Sequence, residues 1–234
     1  MSVRLVLVEP EGRINFGFIL RLCKNFEVYD IYVVNPRFNI DDPEVVEFAA
    51  KGSDLIKGVK VVNSLDDALR DVEISLCTSA KSGDEDDVLR HSQPPEMLEE
   101  VFRRYSKVAL IFGRESVGLT RDELRKCTAV ITIPGNPEYN VMNLSHAVAV
   151  ILYLTWRYRG VKKRRYVPDV KRLDILNKYF EQVLNQLPLD DRYKDKAKIV
   201  FNRFTKLYPL RKGEVTAIYR LLKTLLYVLR TARK

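Results

Sequence analysis

An α/β fold, with a mostly parallel sheet and helices on both faces, followed by a small all-helical domain, is what this sequence predicts. Over residues 1–160, short runs rich in Val and Ile alternate with segments of helical periodicity, a pattern that favours parallel strands joined by helical crossovers. Loops bearing Gly, Asn and Ser follow several of these runs, at the strand ends where open α/β sheets bind ligands. Past residue 169 the apolar periodicity is wholly helical.

Strands are expected at Arg4–Val8, Ile31–Val34, Val59–Val62, Ile74–Cys77, Val108–Phe112 and Val130–Ile133, each short and β-branched. Helical patterning fills Phe16–Phe26 and Ser64–Arg70 between them. Asp41-Asp42-Pro43-Glu44 supplies an N-cap and a first-turn proline, and Asn63/Ser64 before Asp66-Asp67 marks a second helix start. Asn143–Tyr158 is a long helix, apolar almost all round; such a helix needs cover, and an oligomer interface is the favoured source of it. Lys162-Lys163-Arg164-Arg165-Tyr166-Val167-Pro168 reads as a basic linker able to touch phosphates. Val170–Leu187 and Asp191–Leu207 each end before a proline, and after Gly213 the residues Val215, Ile218, Leu222, Leu225 and Leu229 recur at helical spacing. The expected domains are therefore 1–160, a linker at 161–169, and 170–234.

The 234 residues, 46% of them hydrophobic, suffice for one full core and a small second domain. The apolar stretch Ala147–Trp156 is far below membrane-spanning length, and Val3–Val8 has no basic flank; a cytoplasmic location and no membrane partner are expected. Cys23, Cys77 and Cys127 are odd in number and widely spaced, which predicts neither a disulfide nor a zinc site. Residues 161–234 hold 20 of the 40 Lys and Arg but 7 of the 31 Asp and Glu, a net +13 against −4 for the rest. Such a segment suits nucleic acid or an anionic surface. Six tyrosines among those cations offer rings on which unpaired bases can stack.

Gly113 and Gly118 bound a loop after the strand Val108–Phe112, where backbone can approach a ligand closely. Neither a Walker lysine nor a Gly-x-Gly-x-x-Gly pattern accompanies them, which disfavours ATP and NAD. Ile133-Pro134-Gly135-Asn136-Pro137 delivers Asn140–Ser145 to a helix start, with Asn143 or Ser145 as cap. Arg21 lies six residues after Asn15 on an otherwise apolar helix; it is either a surface or salt-bridged arginine or a cleft-facing one that needs an anionic partner. His91 and His146 lack spaced partners, Asp84-Glu85-Asp86-Asp87 reads as a solvated loop or helix start, and Ser116 lacks a Gly-x-Ser-x-Gly frame. No metal and no hydrolase nucleophile are expected.

Taken together, Asn15-Phe16-Gly17-Phe18-Ile19-Leu20-Arg21, Phe112-Gly113-Arg114-Glu115-Ser116-Val117-Gly118-Leu119 and Asn143 before a long helix resemble the three motifs of the SpoU (TrmH-like) branch of the SPOUT superfamily. The resemblance covers roughly residues 1–160. It implies a C-terminal trefoil knot, a homodimer whose active site is completed across the interface, and S-adenosylmethionine-dependent 2′-O-methylation of an RNA ribose. Thr78, Ser79, Gly113, Arg114, Glu115, Gly118, Ile133, Leu144 and Ser145 are the implied cofactor-binding positions. Arg21, Asn15, Glu115 and Asn143 are the implied catalytic set, with Arg21, Arg114, Lys162, Lys163, Arg164 and Arg165 toward RNA. Finer likenesses, at Val8-Glu9-Pro10, Val34-Asn35-Pro36-Arg37 and Cys77-Thr78-Ser79-Ala80-Lys81, point to tRNA and nucleotide 32 of its anticodon loop. Ribosomal RNA is the alternative substrate, and a non-catalytic RNA-binding protein the alternative class. Many relatives carry Ser two residues before the third-motif Asn; Val141 stands there in this chain, leaving that role vacant or moved to Tyr139, Asn140 or Ser145.

Overall fold

A computed structural model describes residues 2–81, 83, 87–160, 169–208 and 210–231. The basic run Lys162–Arg165 and most of the acidic run before Asp87 lie outside the described residues. The chain divides into two compact units, Met1–Lys163 and Arg164–Lys234.

The first unit is built on seven strands: β1 (Ser2–Val8), β2 (Asp30–Val34), β3 (Lys60–Val62), β4 (Ile74–Thr78), β5 (Ser92–Gln93), β6 (Lys107–Phe112) and β7 (Ala129–Ile131). Every pairing is parallel, in the order β3-β2-β1-β6-β4-β7-β5. Val108–Phe112 of β6 and Ile74–Cys77 of β4 are buried at every position. Successive side chains of a strand point to opposite faces, so both faces of the central sheet are covered. Six of the strands coincide with the expected apolar runs. The seventh, Ser92–Gln93, has two polar residues and no run to betray it.

The helices are α1 (Arg13–Asn25), α2 (Pro43–Ala49), α3 (Leu65–Ala68), α4 (Met97–Arg104), α5 (Arg121–Arg125) and α6 (Leu144–Tyr158), with a 3-10 segment at Ala50–Gly58. Asp42 caps α2 by accepting from the Glu44 N–H at 3.0 Å, and Ser64 caps α3 by accepting from the Asp67 N–H at 3.1 Å, as the sequence led one to expect. α1 begins three residues earlier than its apolar pattern, because Gly12 at its N-cap offers no side chain to mark the start. Gly17 lets α2 pack directly on α1: a Cβ there would lie 2.8 Å from Phe48 Cβ and 2.9 Å from the Val45 carbonyl oxygen.

One expectation is corrected. Cys77 and Cys127 are paired as a disulfide, with Cα atoms 5.8 Å apart, inside the usual range of about 4.4–6.8 Å. Pairing of β4 with β7 sets Cys77 opposite Val130 and so brings together residues 50 apart in sequence. Cys23 is free and buried, and burial pushes its thiol far above the ordinary value.

The second unit holds α7 (Val170–Gln186), α8 (Asp191–Leu207) and α9 (Lys212–Thr231). Asp169 and Asp190 cap the first two, accepting from the backbone N–H of Arg172 and Tyr193. Leu173, Leu176, Val183, Leu210, Val215, Leu222 and Leu226 form its core, and Phe180 stacks on Phe201 at 4.0 Å.

Candidate functional site

Adjacent strands β1, β6, β4 and β7 all point their C-terminal ends to one edge of the sheet, so the loops after them meet there. A cavity of about 210 Å³ opens among the loops after β4, β6 and β7. Thr78, Ser79, Gly113, Arg114, Glu115, Gly118, Ile133 and Leu144 line it, alongside Lys81, Arg90, Asn140, Val141 and Met142. Thr78 donates its hydroxyl to the Ile111 carbonyl at 3.1 Å, and the Ser79 N–H donates to the Ile131 carbonyl at 3.0 Å. These bonds lock the β4 end between its neighbours. Asn140 donates through Nδ2 to the Ala80 carbonyl at 3.3 Å, while its Oδ1 is buried without a partner among the described residues.

No side chain fits at Gly113, where a Cβ would fall 2.5 Å from Leu119 N and 2.7 Å from the Gly118 carbonyl oxygen. Gly118 has φ +71, a conformation that glycine adopts without steric cost. Between them Arg114 folds back under the loop. Its guanidinium meets Glu9 Oε1 at 2.9 Å and forms two bonds to Glu123, at 2.9 and 3.0 Å. Glu123 holds Arg114 firmly protonated, with Glu9 adding to the effect. The Glu9 carboxyl is held below the usual carboxylate range, first by Arg114 and further by Arg37. At Glu123 burial acts to raise the pKa, but the hydrogen bonds from Arg114 and Thr120 outweigh it and the carboxyl is also lowered. Glu9 reaches the guanidinium from a left-handed backbone, φ 46, at the end of β1. Arg114 thus lines the cavity with its charge already matched.

A second network joins the three sequence motifs. Glu115 accepts from the Glu11 N–H at 2.8 Å, from the Gly12 N–H at 3.1 Å and from Asn15 Nδ2 at 3.1 Å. Asn15 Oδ1 accepts from Asn143 Nδ2 at 3.0 Å. Asn143 Oδ1 accepts from the Ser145 N–H at 2.8 Å and from its hydroxyl at 2.7 Å, which caps α6. Ser116 donates its N–H and hydroxyl to Glu11, at 3.1 and 2.8 Å. Asn15 and Asn143 are not in the cavity lining but brace Glu115, which is. Ser145 is buried behind Asn143 and is likewise absent from the lining.

Arg21 is not brought to this network within one chain. Six residues beyond Asn15, it is displaced by about 9 Å along α1 and about 120° around it. It is exposed, its side chain makes no hydrogen bond or ion pair among the described residues, and it shares a stripe of α1 with the exposed Ile14 and Phe18. Sequence reasoning missed Glu9 and Glu123 as partners of Arg114, although Thr120-x-x-Glu123 carries the sign of a capping box, and that box is formed. His91 and His146 are exposed. Among the described residues no group of three or more His, Cys, Asp or Glu could hold a metal ion. No described helix is long and apolar enough to cross a membrane.

The family model of the SpoU rRNA methylases matches residues 2–153. A tRNA (cytidine-2′-O-)-methyltransferase TrmJ of Sulfolobus acidocaldarius is 47% identical over 190 residues, 80% of this chain and 78% of the relative. The protein of the same description from Methanocaldococcus jannaschii is 28% identical over 210 residues, 87% and 90% of the two chains. Among solved structures, TrmJ from Z. mobilis covers 96% of this chain and 99% of its own, with a TM-score of 0.68 at 20% identity. The SpoU methyltransferase AviRb from Streptomyces viridochromogenes, solved with AdoMet, covers 69% and 59% with a TM-score of 0.55 at 19% identity.

Proposed function

Since this chain belongs to the SpoU methylase family and is an RNA ribose 2′-O-methyltransferase that uses S-adenosylmethionine, we propose that its substrate is tRNA, methylated at nucleotide 32 of the anticodon loop. The observation that carries the methyl-transfer site is the chain of hydrogen bonds from Asn143 through Asn15 to Glu115, which ties the three family motifs together beside the cavity; nucleotide 32 rests on the likenesses at Val8-Glu9-Pro10, Val34-Asn35-Pro36-Arg37 and Cys77-Thr78-Ser79-Ala80-Lys81. The tRNA-acting relative at 47% identity supports the choice of substrate.

The cavity suits the cofactor. Gly113 allows close backbone approach, Leu144 and Ile133 give apolar walls, and Asn140 Oδ1 is an acceptor left open. Thr78, Ser79, Gly113, Gly118, Ile133 and Leu144 would hold S-adenosylmethionine, which supplies an electrophilic sulfonium methyl. Glu115, saturated by two backbone N–H groups and Asn15, fixes the loop around it. A ribose 2′-hydroxyl is a poor nucleophile, so alignment and stabilisation of developing negative charge on its oxygen carry the rate. Arg21 is the residue assigned to that task. Its guanidinium neutralises and positions the phosphate and alkoxide; an ordinary arginine stays protonated and is no base.

Arg21 reaches the chemistry in a homodimer. It lies among Ile14 and Phe18, exposed apolar residues of α1, and α6, which packs on α1, exposes Tyr153 and Trp156. Covering these faces with a second copy would carry Arg21 of one subunit to the other's cavity. The trefoil knot is inferred for β7 and α6, and the working domains are 1–160 for catalysis, 161–169 as linker and 170–234 for RNA. Incubation with labelled S-adenosylmethionine and unmodified tRNA transcripts, followed by nuclease digestion and mass spectrometry, tests the reading. A 2′-O-methyl at nucleotide 32 is expected; methylation of ribosomal RNA alone would refute the choice of tRNA.

A further inference from the structure

Several cations of α7 and α8 meet carboxylates: Lys198 with Glu181 at 3.0 Å, Lys206 with Asp174 at 3.4 Å, and Arg172 with Asp169 at 2.9 Å. α9 differs. Its one acidic residue, Glu214, is spent at the helix start, accepting from the Arg211 N–H at 2.6 Å. Downstream, Arg220, Lys223 and Arg230 are exposed and have no ion pair among the described residues. At about 100° per residue these three and Tyr227 fall within about 80° of one another, a single stripe about 15 Å long. Like charges at such helical spacings repel, so the stripe costs the isolated domain stability and suits a polyanion.

Its aromatic content says which polyanion. Tyr227 sits in the middle of the stripe with 69% of its surface exposed. Along one flank Tyr219 packs edge-on against Tyr179 at 5.1 Å, and the Tyr179 hydroxyl lies in the field of Lys223 and Arg230. An open ring between cations matches unpaired nucleotides, whose bases stack on aromatic side chains while their phosphates meet Lys and Arg. A regular duplex keeps its bases stacked on each other and offers such a ring nothing. The exposed apolar residues Leu221, Leu225 and Val228 lie on a neighbouring stripe that carries no cation.

We propose that Arg220, Lys223, Tyr227 and Arg230 form a track for unpaired RNA, with Tyr227 stacking on a base and the three cations on consecutive phosphates. This rests on the RNA-methylating reading above. The test compares full-length wild type with Arg220→Gln/Lys223→Gln/Arg230→Gln, Arg220→Lys/Arg230→Lys, Tyr227→Ala and Tyr227→Phe, in filter binding to an unmodified tRNA transcript over a series of salt concentrations. The triple Gln variant should bind at least about ten-fold more weakly at low salt, and its slope of log affinity against log salt should fall by about 2, near 0.7 for each phosphate no longer neutralised. The Lys variant should keep the wild-type slope. Tyr227→Ala should weaken binding by about 5- to 100-fold without changing the slope, and Tyr227→Phe should restore it. Calorimetric affinity for S-adenosylhomocysteine and helical circular dichroism should be unchanged throughout, which separates weakened RNA binding from unfolding. If wild type binds tRNA with a marked salt slope and the triple Gln variant matches it, the track is refuted and the RNA reading survives. If wild type shows no salt-dependent tRNA binding, the RNA reading itself fails and the track with it.

Discussion

Replacing Arg114 by methionine keeps the length of the side chain and deletes the guanidinium that joins Glu9 to Glu123. All three side chains are largely buried, at 12%, 18% and 16% exposure. Removing one partner of a fully buried pair costs about 3–5 kcal/mol, because the other charge is stranded. The residual exposure places this site near about 3 kcal/mol. For a unit of this size that lowers the melting temperature by about 6–12 °C. Thermal unfolding followed by circular dichroism at about pH 7 and about pH 4 measures it. Both carboxyls have lowered native pKa values, so their stabilisation is full above the unfolded value and fades as pH falls through the lowered native one. In the variant Glu123 loses its cation and Glu9 keeps only the exposed Arg37, so protonation relieves both carboxyls. The gap between wild type and variant must therefore narrow on acidification. Neutralising both partners, in Glu9→Gln/Arg114→Met/Glu123→Gln, should recover most of the deficit, since no stranded charge remains. A gap independent of pH, or a triple variant no better than the single one, would refute the ion-pair account of how this loop is held.

Three further outcomes are expected. Arg21→Ala should leave S-adenosylhomocysteine affinity intact and lower methyl transfer at least about 100-fold; mixed and reassembled with inactive Asn143→Ala protein it should recover about a quarter of wild-type activity, because each mixed dimer keeps one complete site, and no recovery would place Arg21 and Asn143 in the same subunit's site. Gly113→Ala forces a Cβ against the Gly118–Leu119 backbone and should weaken S-adenosylhomocysteine binding at least about ten-fold by calorimetry at an overpacking cost of about 1–3 kcal/mol; unchanged affinity would remove this loop from the cofactor site. Thiol labelling of denatured, unreduced protein should find Cys23 alone, and Cys77→Ser/Cys127→Ser should melt about 8–16 °C lower, from about 4 kcal/mol for closing a loop of 50 residues; three labelled thiols would dismiss the disulfide.

Much of the sheet was legible because a buried parallel strand writes itself as an apolar run, and β1, β2, β4 and β6 each do so. Asp42-Pro43 and Ser64 were legible for a different reason, since a cap acts on backbone two or three residues away. What escaped depends on strand order. Cys77 and Cys127 meet because β7 lies beside β4 rather than beside β6, and no local pattern states that. Glu9 reaches Arg114 because β1 and β6 are neighbours and because Glu9 adopts a left-handed backbone. The motif residues Asn15, Glu115 and Asn143 were visible one by one; that Asn15 stands between the other two is a property of the folded edge. Arg21, matched in sequence to the same motif, is held apart from it by the turn of α1.

The place of β6 has a consequence for how the chain comes into being. β1 pairs only with β2 and β6, and β4 only with β6 and β7. A ribosome that has released residues up to about 100 has therefore made one three-stranded piece, β3-β2-β1, and two strands, β4 and β5, with no neighbour to receive them. The middle of the sheet is synthesised late, and β6 must enter between edges already present. The cofactor loops assemble later still, when β7 and the start of α6 arrive. Such long-range closure folds slowly, and until it is complete the nascent chain presents the bare edges of β1 and β4 to whatever chaperone or sister chain it meets.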